Sequence, residues 1–247
     1  MEKKILGIIG GVGPMATAYF MEKIVDMTES ETDQENIDMV VLNHCSIPDR
    51  TAHILDHSKP NPGPIMAEDA KKLEQMGAGV VVTPCNTAHY FHNIIEDGLS
   101  VPFLNMIELT AKELKLQGAK TVGIMATTGT VQTGLFQKAL AEQGIEGIVP
   151  EPRYQEKVMM LIYDEVKANA PVTMEDFYMV AAHLKERGCD RIILGCTELS
   201  VIKQQYRLSK QYIDSLDVLA VNAIKACGYP VSEAALYKKG LKLFSDR

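Results

Sequence analysis

No two cysteines are spaced as CxxC, and the five present (Cys45, Cys85, Cys189, Cys196, Cys227) are an odd number. That argues against a disulfide framework and against a zinc ribbon, and it points to free thiols in a reducing compartment. No apolar run approaches the roughly 18 residues of a membrane span. An excess of positive charge is missing as well: 25 Lys+Arg against 32 Asp+Glu leaves a formal net charge of −7. Nucleic acid and membrane are therefore not expected partners. The opening MEKKILGIIGG mimics a secretory leader, but its apolar part stops at Gly10-Gly11 and no small-residue cleavage site follows. It reads as the first strand of a cytoplasmic protein.

What is present is globular. Of 247 residues, 46% are hydrophobic and 23% charged, enough to bury a full core in one or two domains. Short apolar runs (ILGII, DMVVLN, VVVT, PFLNM, TVGIMA, RIILG) alternate with helical patterns over 16–27, 65–76, 88–95, 108–116, 132–143, 158–166 and 174–187. Such alternation predicts βαβ units and parallel sheets. The Pro/Gly/Asn-rich stretch 55–64, LDHSKPNPGP, has no periodicity and reads as a loop able to act as a lid.

The chain also repeats itself. Laid over AKKLEQMGAGVVVTPCNT from Ala70, AAHLKERGCDRIILGCTE from Ala181 matches without a gap at an offset of 111 residues. Ala70/Ala181, Leu73/Leu184, Gly77/Gly188 and Cys85/Cys196 coincide. Both segments read as amphipathic helix, glycine C-cap, buried strand, then cysteine. KKILGIIGGVG echoes AKTVGIMATTG, and FLNMIELTAKELKLQG echoes YIDSLDVLAVNAIKACG, in the same order. Three ordered echoes predict two similar α/β halves. Ligands of open parallel sheets bind beyond the carboxyl ends of strands. Cys85 and Cys196 sit at two such ends, so a shared cleft between the halves is expected to hold both.

A thiol at a strand's carboxyl end, just before a helix, lies near unpaired backbone N–H groups that favour the thiolate. The residues that follow, Asn86 and Thr87 in one half and Thr197 and Glu198 in the other, can orient a carboxylate or stabilise the thiolates. Two thiols on opposite faces of one carbon suit proton removal from one face and return to the other, which inverts the centre.

These segments resemble the cofactor-independent aspartate/glutamate racemase family. The resemblance rests on IIGGVGPMATA (8–18), IPDRTAHIL (47–55), PCNTAH (84–89), MATTGT (125–130), IYDEVK (162–167) and GCTELS (195–200). It implies an aspartate racemase built as two pseudosymmetric α/β domains, each a mostly parallel four-stranded sheet flanked by helices. The first would comprise 1–105 with 211–247 and the second 106–210. It implies a homodimer, no pyridoxal phosphate or other cofactor, no metal, and an amino-acid substrate. Cys85 and Cys196 correspond to the catalytic thiols, with Cys196 acting on the L-isomer. Asn86, Thr87, Thr127 and Thr197 correspond to residues that hold the α-carboxylate and amino group. Arg50 and Lys167 correspond to the pair that receives the distal carboxylate, a role suited to a planar guanidinium fork and a point charge. Three positions depart from the family pattern: Val12 where Met is frequent, Asn169 where Gly often follows the lysine segment, and Cys45 where Pro is common.

Other readings compete. Gly11-x-Gly13-x-x-Ala16 after a strand fits a dinucleotide turn, but MVVLNHCS lacks the acidic residue that should end the second strand. His44, His53, His57, His89 and His92 could be taken as metal ligands, with Cys85-x3-His89 and His89-x2-His92 as pairs, but no carboxylate or thiol partner repeats at ligand spacing. His89, four residues after Cys85, would lie over the turn rather than in line with the thiol, which counts against a Cys-His hydrolase. A glutamate or broader acidic racemase differs from an aspartate enzyme only in cleft length. A non-catalytic amino-acid-binding protein would share the cleft and the cations but would need no paired thiols.

Overall fold

The computed structural model describes residues 2–242. These form two compact units, one of residues 2–106 and 216–242, the other of 107–215. The chain returns to the first unit at 216 rather than at the expected 211, because Tyr212–Asp214 pairs within the second unit's sheet.

The first unit is built on β1 (Ile5–Gly10), β2 (Met39–Asn43) and β3 (Ala78–Val82), in the order β2-β1-β3 and all parallel. The second holds β4 (Thr121–Ala126), β5 (Glu146–Ile148), β6 (Arg191–Gly195) and β7 (Tyr212–Asp214), in the order β5-β4-β6-β7, again all parallel. The central strands β1 and β4 are buried along almost their whole length, as strands covered on both faces by helices must be. Their Ile, Leu and Val side chains each contribute about 1.5–3 kcal/mol on full burial.

The two sheets correspond strand for strand, with one shortfall. Four strands are expected in each, yet the first sheet has three. The segment that matches β7 meets β3 only at the Val81–Phe103 bridge, through Val81 N–H to Pro102 C=O (2.9 Å) and Leu104 N–H to Val81 C=O (3.0 Å). The next rung would need an N–H from residue 102, and proline has none.

Helix ends follow the sequence signals. Gly77 and Gly188 take φ of 95° and 87° after the helices Gly63–Gln75 and Met174–Glu186, the left-handed caps that turn each chain into β3 or β6. Gly11 has φ 81°, and a Cβ there would lie 2.3 Å from the His44 carbonyl carbon. Its N–H donates to Thr17 Oγ1 (3.0 Å). The glycine turn thus serves a close approach of backbones and holds itself closed. The expected loop 55–64 shrinks to 56–62, between the helices Arg50–Leu55 and Gly63–Gln75. Among the described residues no helix is long and apolar enough to cross a membrane.

The returning segment is fastened by charge. Lys23, on the helix Pro14–Met27, and Asp217, on the helix Ser215–Ala226, form an ion pair with both side chains at most 3% exposed. Lys239 Nζ approaches Asp217 at 3.6 Å, and the Lys23 ammonium lies 4.4 Å from the Tyr19 ring centre. Removing one partner strands the other charge in the core. Asp217→Asn is therefore expected to lower unfolding stability by about 3–5 kcal/mol in urea titration. The pair replacement Lys23→Met with Asp217→Leu should recover most of that loss.

Candidate active site

In the first unit the chain leaves β3 and is pinned at once by Thr83, whose hydroxyl donates to Ile9 C=O (3.0 Å). Pro84 follows, and Cys85 is extended (φ −152°, ψ 109°) as the N-cap of the 3₁₀ helix Asn86–Phe91. Cys85 as a residue is 9% exposed. Asn86 is buried at 2%, and neither its Nδ2 nor its Oδ1 has a hydrogen-bond partner. Each such atom costs about 1–3 kcal/mol when it stays unpaired. Thr87 is buried on the same turn. Arg50 is the first residue of the helix Arg50–Leu55, which packs against the 3₁₀ helix. Its Nη1 donates to Pro48 C=O (3.1 Å), while its buried Nε has no partner. Among the described residues no carboxylate pairs with it.

The second unit repeats the arrangement with different chemistry. Cys196 is extended (φ −146°, ψ 140°), 7% exposed, and caps the helix Thr197–Gln205. Its thiol donates to Glu198 Oε2 (2.8 Å), which also accepts from Thr197 Oγ1 (3.2 Å). The carboxylate sits in the helix's first turn, where the dipole favours negative charge, and it holds the thiol hydrogen by hydrogen bonding. Thr127, buried at the end of β4, caps the helix Thr128–Gln132 by accepting from Thr130 N–H (3.2 Å).

Lys167 follows a single π-helical turn, Leu161–Val166, that packs against the Cys196 helix. It is exposed, and its ammonium lies 3.9 Å from the Tyr163 ring centre. The helix leading there begins at Pro152 rather than at the expected Val158, since its first turns are too polar to show a period. Asn169 adopts φ 55°. This is a left-handed conformation, which Asn tolerates better than other side-chain-bearing residues.

A family model described as Asp/Glu/Hydantoin racemase matches residues 9–223. The chain belongs to that family. Among solved structures, the racemase is similar to the Picrophilus torridus aspartate racemase, with 33% identity, a TM-score of 0.81 and coverage of 96% of this chain and 99% of that one. An aspartate racemase homologue from Pyrococcus horikoshii OT3 shares the fold at 24% identity and TM-score 0.75, over 91% and 99% of the two chains. The Broad specificity amino-acid racemase RacX of Bacillus subtilis (strain 168) is 29% identical over 89% of this chain and 96% of its own length.

Two groups in the racemase escaped assignment from sequence. Glu198 was grouped with Thr197 as able to orient a carboxylate or stabilise a thiolate, but not as the direct acceptor from the Cys196 thiol; a carboxylate two residues after a helix-capping cysteine was the available signal. His89 is the other. It is fully buried: its Nδ1 lies 3.0 Å from Cys85 C=O, and its Nε2 receives Met106 N–H at 3.2 Å. The ring reaches the carbonyl of Cys85 and not its thiol. Three of the other histidines have separate contacts: His44 Nδ1 meets the buried Asp69 at 2.7 Å, His53 Nδ1 donates to Lys59 C=O (2.8 Å), and His92 approaches Glu96 at 3.4 Å. Among the described residues no three His, Cys, Asp or Glu side chains form a metal-holding group.

Of the other thiols, Cys45 is exposed. Burial pushes Cys189 up to about 11 and Cys227 up to about 12, which keeps both as inert thiols at neutral pH. Burial also depresses His89 to about 4, against an ordinary 6.5. The unfolded chain therefore takes up a proton below pH 6.5 that the folded chain refuses until about pH 4. His89's contribution to stability is complete above pH 6.5 and is lost as pH falls to about 4, an amount of about 3 kcal/mol. Urea midpoints measured from pH 7 to 4 should fall more steeply for wild type than for His89→Gln, which cannot titrate.

Proposed function

We propose that this amino-acid racemase interconverts L- and D-aspartate by two-base proton transfer at Cα, without a cofactor, through Cys85 and Cys196. The observation that carries the reading is the duplicated strand–cysteine–helix turn, which sets one buried thiol at the carboxyl end of β3 and another at that of β6. One sulfur, as thiolate, takes the Cα proton, and the bonding electrons move into the α-carboxylate. The other thiol then gives its proton to the opposite face and is left as thiolate. The two cysteines differ in readiness. Cys196 donates its S–H to Glu198, which suits the acid role; after one turnover its sulfur is the thiolate and Cys85 holds the Cα proton, so the reverse reaction starts with the roles already exchanged. The Cys85 thiol has no hydrogen-bond partner among the described residues, so no side chain competes with the substrate for its sulfur.

Charge develops on the substrate α-carboxylate, and donors aimed there lower the barrier. Asn86 offers a donor and an acceptor that are both unsatisfied, a match for a carboxylate beside an ammonium group. Thr87, Thr127 and Thr197 are proposed as its companions. Arg50, with its unpartnered Nε, and Lys167 are proposed to receive the side-chain carboxylate. The 33% identity to an aspartate racemase favours aspartate. A broader acidic substrate range is the second reading, favoured by the RacX likeness, since one methylene is discriminated by only about 1–3 kcal/mol.

Cys85→Ala and Cys196→Ala should each lower racemisation by about 10²–10⁴-fold, the usual worth of a general acid or base. The check is circular dichroism of D- and L-aspartate in buffer free of pyridoxal phosphate, and appreciable turnover in either variant removes the two-thiol mechanism. Deuterium incorporation at Cα from heavy water separates catalysis from mere binding.

The distal cations act in ground and transition state alike, so their loss should appear chiefly in KM. Arg50→Ala is expected to weaken aspartate binding by about 2–5 kcal/mol, and Lys167→Ala by less, because its ammonium is exposed to water. Wild-type KM values in both variants, or a preference for alanine as substrate, would overturn the acidic-substrate assignment.

A further inference from the structure

We propose that His89 is the positioning residue of the Cys85 half-site: a neutral imidazole that locks the carbonyl of Cys85 to the start of the helix Met106–Leu116 and so fixes where the thiol and Asn86 point. The proposal rests on the two-thiol reading for its catalytic consequence, but its geometry stands alone.

Two contacts determine the tautomer. Nδ1 lies 3.0 Å from Cys85 C=O, an acceptor, so Nδ1 carries the hydrogen. Nε2 then presents its lone pair to Met106 N–H at 3.2 Å. The opposite tautomer would set a bare Nδ1 against a carbonyl oxygen and an N–H against an N–H, gaining only the 3.3 Å contact of Nε2 with Leu104 C=O. An imidazole bridging a donor and an acceptor in this way must be uncharged, and its depression to about 4 by burial keeps it so over the working range.

The ring itself is held by stacking. Phe103 lies nearly parallel to it at 5.7 Å between centres, with an interplanar angle of 9°, and His92 stacks at 6.2 Å and 16°. Cys85 C=O receives a second hydrogen bond from Ala88 N–H (3.2 Å), so the turn after the thiol is gripped from its own helix and from 17 residues downstream. This matters because 3₁₀ turns have poorer hydrogen-bond geometry than α-helices and fray readily. Asn86, the next residue, has no side-chain partner to hold it. Its aim depends on the backbone that His89 clamps. The turn at Cys196 needs no such clamp, because a nine-residue α-helix continues from it.

His89→Phe keeps the stacked ring and removes both hydrogen bonds. His89→Gln keeps a donor and an acceptor on one side chain. Iodoacetamide labelling of the native protein at one fixed pH, read peptide by peptide, decides the positioning role whether or not Cys85 catalyses. In His89→Phe the Cys85 label should go on at least fivefold faster, with Cys196, Cys189 and Cys227 unchanged within twofold. His89→Gln should bring the Cys85 rate back to within threefold of wild type. An unchanged Cys85 rate, or equal acceleration at all four buried thiols, overturns the proposal, the latter because it marks a global loss of stability.

The activity arm uses exchange of the Cα proton from each enantiomer. His89→Phe should lower kcat about 10- to 100-fold with KM within about threefold. It should slow exchange most for the enantiomer whose exchange Cys85→Ala abolishes. Equal slowing of both enantiomers overturns the link to Cys85. Racemisation retained in Cys85→Ala sinks the two-thiol mechanism instead and leaves the labelling result to judge His89. Where His89→Phe does not fold, His89→Asn, too short to reach both partners, serves the same comparison.

Discussion

Everything assigned to chemistry in this racemase hangs from parallel strand pairing. Parallel ladders send every strand the same way, so all their carboxyl ends, and the turns into the next helices, lie along one edge of a sheet. β1 and β3 bring the Gly11 turn and the Cys85 turn to one edge in the first unit. β4 and β6 do the same for Thr127 and Cys196 in the second, with Ala126 opposite Gly195 in register. The residues around each thiol come from segments far apart in sequence and meet only because the ladders are in register.

The two turns use different means to the same end. Cys196 precedes a regular α-helix, and its thiol has a buried carboxylate partner. Cys85 precedes a 3₁₀ helix of six residues, and its support is a histidine bound to the main chain. The internal repeat covers the shared strand–cysteine–helix frame, and the side chains on that frame differ between the two halves. Thr87 and Glu198 occupy the same offset of 111 residues, yet one is a hydroxyl and the other an acid. In the proposed two-thiol mechanism, the two sulfurs therefore meet the substrate from unequal surroundings.

Stability and function pull against each other at a few buried groups. The Lys23–Asp217 pair, with Lys239 also 3.6 Å from the same carboxylate, fastens the returning helix to the first unit. Asn86 and the Nε of Arg50 are buried without partners. Native cores rarely leave polar atoms unsatisfied, and the exceptions concentrate where a ligand completes the set. The racemase thus carries a local cost at the residues proposed to meet substrate.

Much of this was written in the sequence. Periodicity, glycine caps and the three echoes determined the α/β class, the parallel sheets and the pairing of Cys85 with Cys196 as repeat equivalents, while the family was carried by the resemblance of six motif segments. These features are local or repeat at a fixed offset, so side-chain pattern alone carries them. Tertiary structure decided what no local pattern encodes. Pro102 reduced an expected strand to one bridge, because the missing N–H matters only once a neighbouring strand asks for it. Tyr212–Asp214 went to the second unit because β6 offered it an edge. His89 looked like a candidate for metal or for the thiol itself, and the fold turned it onto two backbone groups, one of them 17 residues away. Glu198 became the partner of Cys196 because the first turn of a helix brings the second residue back over its cap. A side chain's role follows from what it touches, and those contacts exist only after the chain has folded.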